Sequence, residues 1–90
     1  MLELYLRVTG RVQGVGFRAT ARQFAGQLGL MGYAANLPDG SVEICAQGER
    51  EHLEKFLTRL QTEFAGYIGE IQVEWRTAKT VYDHFSIKLS

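Results

Sequence analysis

The first residues of the chain alternate. Leu2, Leu4, Leu6 and Val8 are apolar, and Glu3, Tyr5, Arg7 and Thr9 separate them. A period of two predicts a strand with one apolar face. At Phe17 the period changes: Phe17, Ala21, Phe24, Ala25 and Leu28 fall on one stripe of a helix. Gly29 is a natural stop for that helix, because glycine accepts the left-handed backbone at a C-terminus. Gly26 inside it costs about 1 kcal/mol relative to alanine, and close packing against a sheet would explain its presence. Met31 to Asn36 reads as a second strand. Leu37-Pro38-Asp39-Gly40 reads as a turn, in which proline presets φ, aspartate bonds locally and glycine closes. Val42, Ile44 and Ala46 then alternate with Glu43, Cys45 and Gln47, which completes a hairpin. Leu53, Phe56, Leu57, Leu60 and Phe64 form a second helical stripe. Glu49 and Glu51 stand in its first turn, where they suit the helix dipole. Ile71, Val73 and Trp75 predict a fourth strand. Phe85, Ile87 and Leu89 predict a short fifth.

One-sided strands and one-sided helices in this order require two layers. The expected class is α+β: a β-α-β-β-α-β two-layer sandwich, its antiparallel sheet covered on one face by both helices, with a short extra C-terminal strand. This is the ferredoxin-like, split βαβ plan, which hosts many unrelated activities.

The length of 90 residues predicts a single domain over 1–90 and excludes an enzyme with an interdomain cleft. With 46% hydrophobic and 22% charged residues, the chain is globular rather than disordered or coiled-coil. Ten basic and ten acidic residues cancel, whereas a binder of bulk nucleic acid or anionic membrane carries a basic excess. The charge is nonetheless segregated. Residues 1–36 hold Arg7, Arg11, Arg18 and Arg22 against Glu3 alone, so the N-terminal part is able to face an anion. Cys45 is the single cysteine, which excludes an intramolecular disulfide and a Cys-rich metal site. The alternating, charged N-terminus is no signal peptide, and no apolar run approaches ~18 residues. The expected location is cytoplasmic.

The candidate chemistry lies in Gly10-Arg-Val-Gln-Gly-Val-Gly-Phe-Arg18. Glycines let successive N–H groups turn inward, and such a nest beside a helix N-terminus binds anions. Arg18 opens the helix, where the dipole disfavours a cation. Its planar fork suits phosphate, so its cost there points to a role outside the helix. Gly14-Val-Gly16-Phe-Arg-Ala19 also matches the dinucleotide fingerprint G-x-G-x-x-A. The chain is too short for that fold, and its second strand enters a hairpin rather than a crossover. Two readings stay open on these residues alone: a loop of tight turns and a compact site for a phosphate-sized anion.

Gly10 to Arg18, followed by Gly32-Tyr-Ala-Ala-Asn36-Leu-Pro-Asp-Gly40-Ser-Val42-Glu43, resembles the two signature segments of the acylphosphatases, in order and at their separation. The resemblance implies hydrolysis of a carboxyl-phosphate anhydride to a carboxylate and inorganic phosphate. It implies Arg18 and Asn36 as catalytic residues, and Gln13, Gly14, Val15, Gly16, Phe17 and Arg18 as the phosphate-binding loop. No cofactor and no metal are expected, because the two motifs hold no carboxylate cluster for magnesium. The expected partners are an acyl phosphate and the phosphate product; the zero net charge argues against nucleic acid and membrane, and nothing in the sequence demands more than a monomer. Ala35 departs from relatives that are basic or polar there. Ala65-Gly-Tyr-Ile-Gly69 lacks a Gly-Pro that many relatives carry, which leaves substrate preference and the last loops open. A related domain opens the longer hydrogenase-maturation carbamoyl-transfer proteins; the absence of their other domains here favours a free-standing enzyme.

The chemistry is feasible with few groups. Phosphoryl transfer asks mainly for positioning and charge stabilisation. A carboxylate leaving group, the base of an acid of pKa near ~4, needs no general acid. A carboxamide at Asn36 does not titrate, but it is able to orient a water, and the proton is expected to pass to the phosphate itself. The rival is a non-catalytic anion- or RNA-binding module on the same fold. The Lys/Arg-Gly-Phe/Tyr-Gly/Ala-Phe run of sheet-face RNA readers is absent. Other residues have plainer readings. His52 is expected to be solvated and His84 structural or solvated, although His84 is placed to neighbour the site. Cys45 is expected to be an ordinary strand residue of open exposure. Trp75, Phe24, Phe56 and Phe64 are expected in the core. Arg7, Arg11 and Arg22 are expected on the surface, where they could tune the field around the loop.

Overall fold

A computed structural model of the protein describes residues 1–89. Its elements are β1 (Leu2–Gly10), α1 (Phe17–Leu28), β2 (Met31–Asn36), β3 (Val42–Gln47), α2 (Arg50–Glu63), β4 (Ile68–Thr77) and β5 (Phe85–Lys88). The five strands form one sheet in the order β4-β1-β3-β2-β5. β1 runs antiparallel to both β3 and β4, and β2 is antiparallel to β3. The ferredoxin-like plan is therefore present, as its β-α-β-β-α-β order requires.

The alternation of β1 sends Leu4, Leu6 and Val8 to the helical side, where they are fully buried with Ala34, Val42, Ile44 and Ala46 of β2 and β3. From the helices come Phe17, Ala21, Ala25, Leu53, Phe56 and Leu60. Phe64 follows α2 as its C-cap residue and meets the Phe17 ring at 4.6 Å between centroids. This contact ties the start of α1 to the end of α2. Glu49 is the N-cap of α2 and makes no side-chain capping bond, while Glu51 occupies the first turn.

Several expectations need correction. The sheet is mixed rather than purely antiparallel, because β5 pairs parallel to β2. β4 lies at the opposite edge, and the segment between β4 and β5 crosses the helix-free face to reach β2. Gln47 fixes that crossing: its Nε2 donates to the Thr80 carbonyl at 2.5 Å, and its Oε1 accepts from the Tyr82 N–H at 3.0 Å. Entering from that side, the chain runs in the direction of β2. The strand stops at Lys88, and Leu89 is exposed.

The crossing segment also settles Cys45, which is buried although it sits on the face away from the helices. Burial, with the neighbouring Glu3 carboxylate, pushes its thiol pKa up to about 12. Trp75 is half-buried rather than interior, because β4 is an edge strand, and the Arg50 guanidinium covers its ring at 4.3 Å. Gly26 is exposed, and a Cβ there would meet nothing within 4 Å, so packing does not explain it. His52 is half-buried rather than fully solvated.

Candidate active site

Apolar side chains hold the β1–α1 loop at its base. Val12 and Phe17 are buried and Val15 packs against the same core, while Gln13, Gly14 and Gly16 are exposed. Gly16 is the N-cap of α1 with a left-handed φ of 79°, and no side chain caps the helix. Only a residue tolerant of this backbone turns the chain straight into a helix here. The first-turn N–H groups of α1 are thus aimed at the loop side, with no acidic residue in the first turn to compensate them.

Three predicted site residues meet at one end of the sheet. Arg18 Nη1 donates to the Lys88 carbonyl at 3.1 Å. Lys88 pairs in register with Ala35, the neighbour of Asn36 on β2. Asn36 is half-buried at the end of β2, opposite Val42. Gln13 Nε2 donates to the Leu37 and Ser41 carbonyls, each at 2.9 Å. Helix start, loop and strand end therefore converge, although β3 lies between β1 and β2 in the sheet. Arg18 contacts a carbonyl rather than a carboxylate, so this contact leaves its charge uncompensated.

The Gln13 side chain serves the β2–β3 turn, through its two bonds to the Leu37 and Ser41 carbonyls. Arg7 is also committed. It pairs with Asp39, and its Nε reaches the Ser41 hydroxyl at 3.4 Å. Asp39 accepts from the Ser41 hydroxyl at 2.5 Å and the Ser41 N–H at 3.0 Å. The Ser41 hydroxyl first, then its N–H and Arg7, hold the Asp39 pKa down to about 2. Arg11 is exposed, with its guanidinium over the Tyr67 ring, and Arg22 is exposed. His84 lies away from the site: its carbonyl accepts from the Gly32 N–H at 3.0 Å, at the end of β2 opposite Asn36.

A hollow of about 640 Å³ opens on the helix-free face, lined by Glu3, Tyr33, Cys45, Arg76, Thr80 and Tyr82 among others. It lies at the far end of β1 from the glycine loop. Sequence reasoning missed the cluster inside it. Glu3 is 6% exposed and bonds both Gln47 and Arg76. An alternating strand reads Glu3 as a solvated position, and no local signal marks the segment that covers it.

The acylphosphatase family model matches residues 4–87. The chain belongs to the acylphosphatase family. It is 50% identical over 76 residues to an acylphosphatase of Thermus thermophilus, covering 83% of this chain and 86% of that one. It is 39% identical over 85 residues to an acylphosphatase of Caldanaerobacter subterraneus, covering 93% and 94%. Among solved structures, an acylphosphatase from Bacillus subtilis superposes with a TM-score of 0.90 at 32% identity, covering 99% of this chain and all of that one. HypF of T. kodakarensis contains a similar unit, with a TM-score of 0.87 and 30% identity, spanning 12% of its own chain. Membership makes this acylphosphatase-family chain a hydrolase of acid anhydrides, with acyl phosphates as substrates and phosphate as a product. No helix among the described residues is long and apolar enough to cross a membrane.

Proposed function

We propose that this chain hydrolyses acyl phosphates at a site where the loop from Gln13 to Phe17 and Arg18 form a phosphate cradle and Asn36 faces it, as one domain, without metal. The observation that carries the reading is the convergence just described: left-handed glycines open a helix N-terminus beside Arg18, and β2 ends there at Asn36. The loop N–H groups and Arg18 hold the phosphoryl oxygens and stabilise their charge in flight. Asn36 orients a water in line with the leaving oxygen. The water oxygen bonds to phosphorus as the bond to the carboxyl oxygen breaks. The electron pair leaves with the carboxylate, and the water proton passes to the phosphate.

The two motifs supply no cluster of hard carboxylate ligands for magnesium, which supports a metal-free reaction. The partners are small molecules rather than nucleic acid or membrane. Tyr5 and Tyr33 on the helix-free face both donate to the Glu43 carboxylate, at 2.7 and 2.9 Å, which leaves that face an unsuitable stacking surface. The chain acts as a cytoplasmic monomer, with the site built wholly from its own residues.

Benzoyl phosphate hydrolysis in the presence of EDTA tests the reading, with wild type and Arg18→Ala compared. Wild type turns over, and the folded variant loses ~10³-fold or more, by analogy with arginine fingers. Near-normal turnover in Arg18→Ala overturns the site. Loss in EDTA that magnesium restores overturns the metal-free mechanism.

A further inference from the structure

We infer that Gln13 is a positioning residue that sets the distance between the phosphate cradle and Asn36. The inference rests on the proposed site. The cradle belongs to the β1–α1 loop and Asn36 to the end of β2, and β3 separates β1 from β2 in the sheet. Backbone pairing therefore does not join the two halves directly. The two hydrogens of the Gln13 amide do, through the Leu37 and Ser41 carbonyls at the two ends of the hairpin turn. Leu37 is the residue after Asn36, and Gln13 is the residue before Gly14, whose φ of 78° starts the left-handed part of the loop.

The turn does not need Gln13 for its own shape. Leu37 N–H donates to Ser41 O at 2.8 Å, and Gly40 N–H donates to Leu37 O at 3.1 Å. Asp39 braces Ser41 and pairs with Arg7 on β1. Each carbonyl that Gln13 reaches already accepts a backbone bond, so Gln13 uses its second lone pair. What its amide adds is a cross-link between loop and turn. The expected cost of losing it is misalignment between phosphorus and the water that Asn36 orients. The affinity of the cradle for phosphate is unaffected.

Gln13→Met keeps the length of the side chain and removes both donors. Gln13→Ala, read beside it, removes the bulk as well, and circular dichroism checks the fold of each. The expected result is a kcat lowered about 10- to 100-fold, the scale of a misplacement near 1 Å. The inhibition constant of inorganic phosphate stays within about 2-fold. On an Asn36→Ala background, the same Gln13 substitutions change kcat by less than about 2-fold, because the group they misplace is already gone. An unchanged kcat overturns the inference. So does equal loss on both backgrounds, which marks an independent effect, and so does phosphate affinity falling in step with kcat, which puts the Gln13 side chain in the cradle itself. Absence of wild-type turnover, or full activity in Arg18→Ala, removes the site reading and this inference with it.

Discussion

Arg18 stands where a helix dipole opposes its charge, and it is held by the Lys88 carbonyl rather than by an acid. Local cost without local compensation is what the proposed anion-binding role of Arg18 would leave in a sequence, and the glycines beside it fit the same proposal. Arg18→Lys is expected to fail nearly as badly as Arg18→Ala, because an ammonium makes no bidentate contact with phosphate. Asn36→Ala is expected to lose ~10²–10³-fold in kcat, the scale of a single orienting donor. Steady-state kinetics on benzoyl phosphate check both, and activity in Arg18→Lys within about 2-fold of wild type contradicts the bidentate role. Gln13 was legible as a loop residue but not as a tie. Its partners lie 24 and 28 positions further along, and nothing in the local pattern says which way an exposed amide reaches.

At the scale of elements, two glycines carry opposite predictions. Gly32 has a φ of 139°, and a Cβ there would lie 1.8 Å from the Cys45 carbonyl oxygen on β3. Gly32→Ala therefore strains the backbone and forces β2 off β3, at an expected cost of about 3 kcal/mol or more. Gly26 lies on the exposed side of α1 with open space around it. Gly26→Ala is expected to stabilise by about 1 kcal/mol, which raises Tm by roughly 4–8 °C in a domain of this size. Thermal unfolding reads both, and a destabilised Gly26→Ala would show that this helix face has a partner. The strands and helices were legible because their apolar periods are clean. The direction of β5 was not, because a four-residue strand does not carry its own orientation.

At the scale of the whole molecule, the segment between β4 and β5 turns the helix-free face into a second buried region. Burial alone raises the Glu3 pKa, but hydrogen bonds from Gln47, Cys45 and Arg76 and the Arg76 charge outweigh it, and the carboxyl is held below its ordinary value. A group depressed in the folded state contributes stability above its unfolded pKa, near ~4.3 for glutamate, and loses it as pH falls through the folded value. Asp39, held down to about 2, has the same sign. Stability is therefore expected to decline from about pH 5 towards pH 2. Glu3→Gln is expected to cost about 1–2 kcal/mol at pH 7, less than a fully buried pair because Arg76 is partly exposed. It should also flatten the acid limb. Urea midpoints at pH 7 and pH 3 measure both, and an unchanged pH dependence in Glu3→Gln would place the acid sensitivity elsewhere.

The sequence by itself determined the two-layer plan, the helix-facing half of the core and the hairpin, which rest on periods of two and of 3.6 and on turn chemistry, all acting over a few neighbouring residues. Arg18 and Asn36 as site residues came from the resemblance to the acylphosphatase signature segments and stay a proposal. Only the tertiary structure decided that Glu3 and Cys45 are buried, that β5 runs parallel to β2, and that Gln13 joins the loop to the turn. Those outcomes depend on where distant segments cross the sheet. A short strand and an exposed amide take their direction from the partners that the fold brings to them.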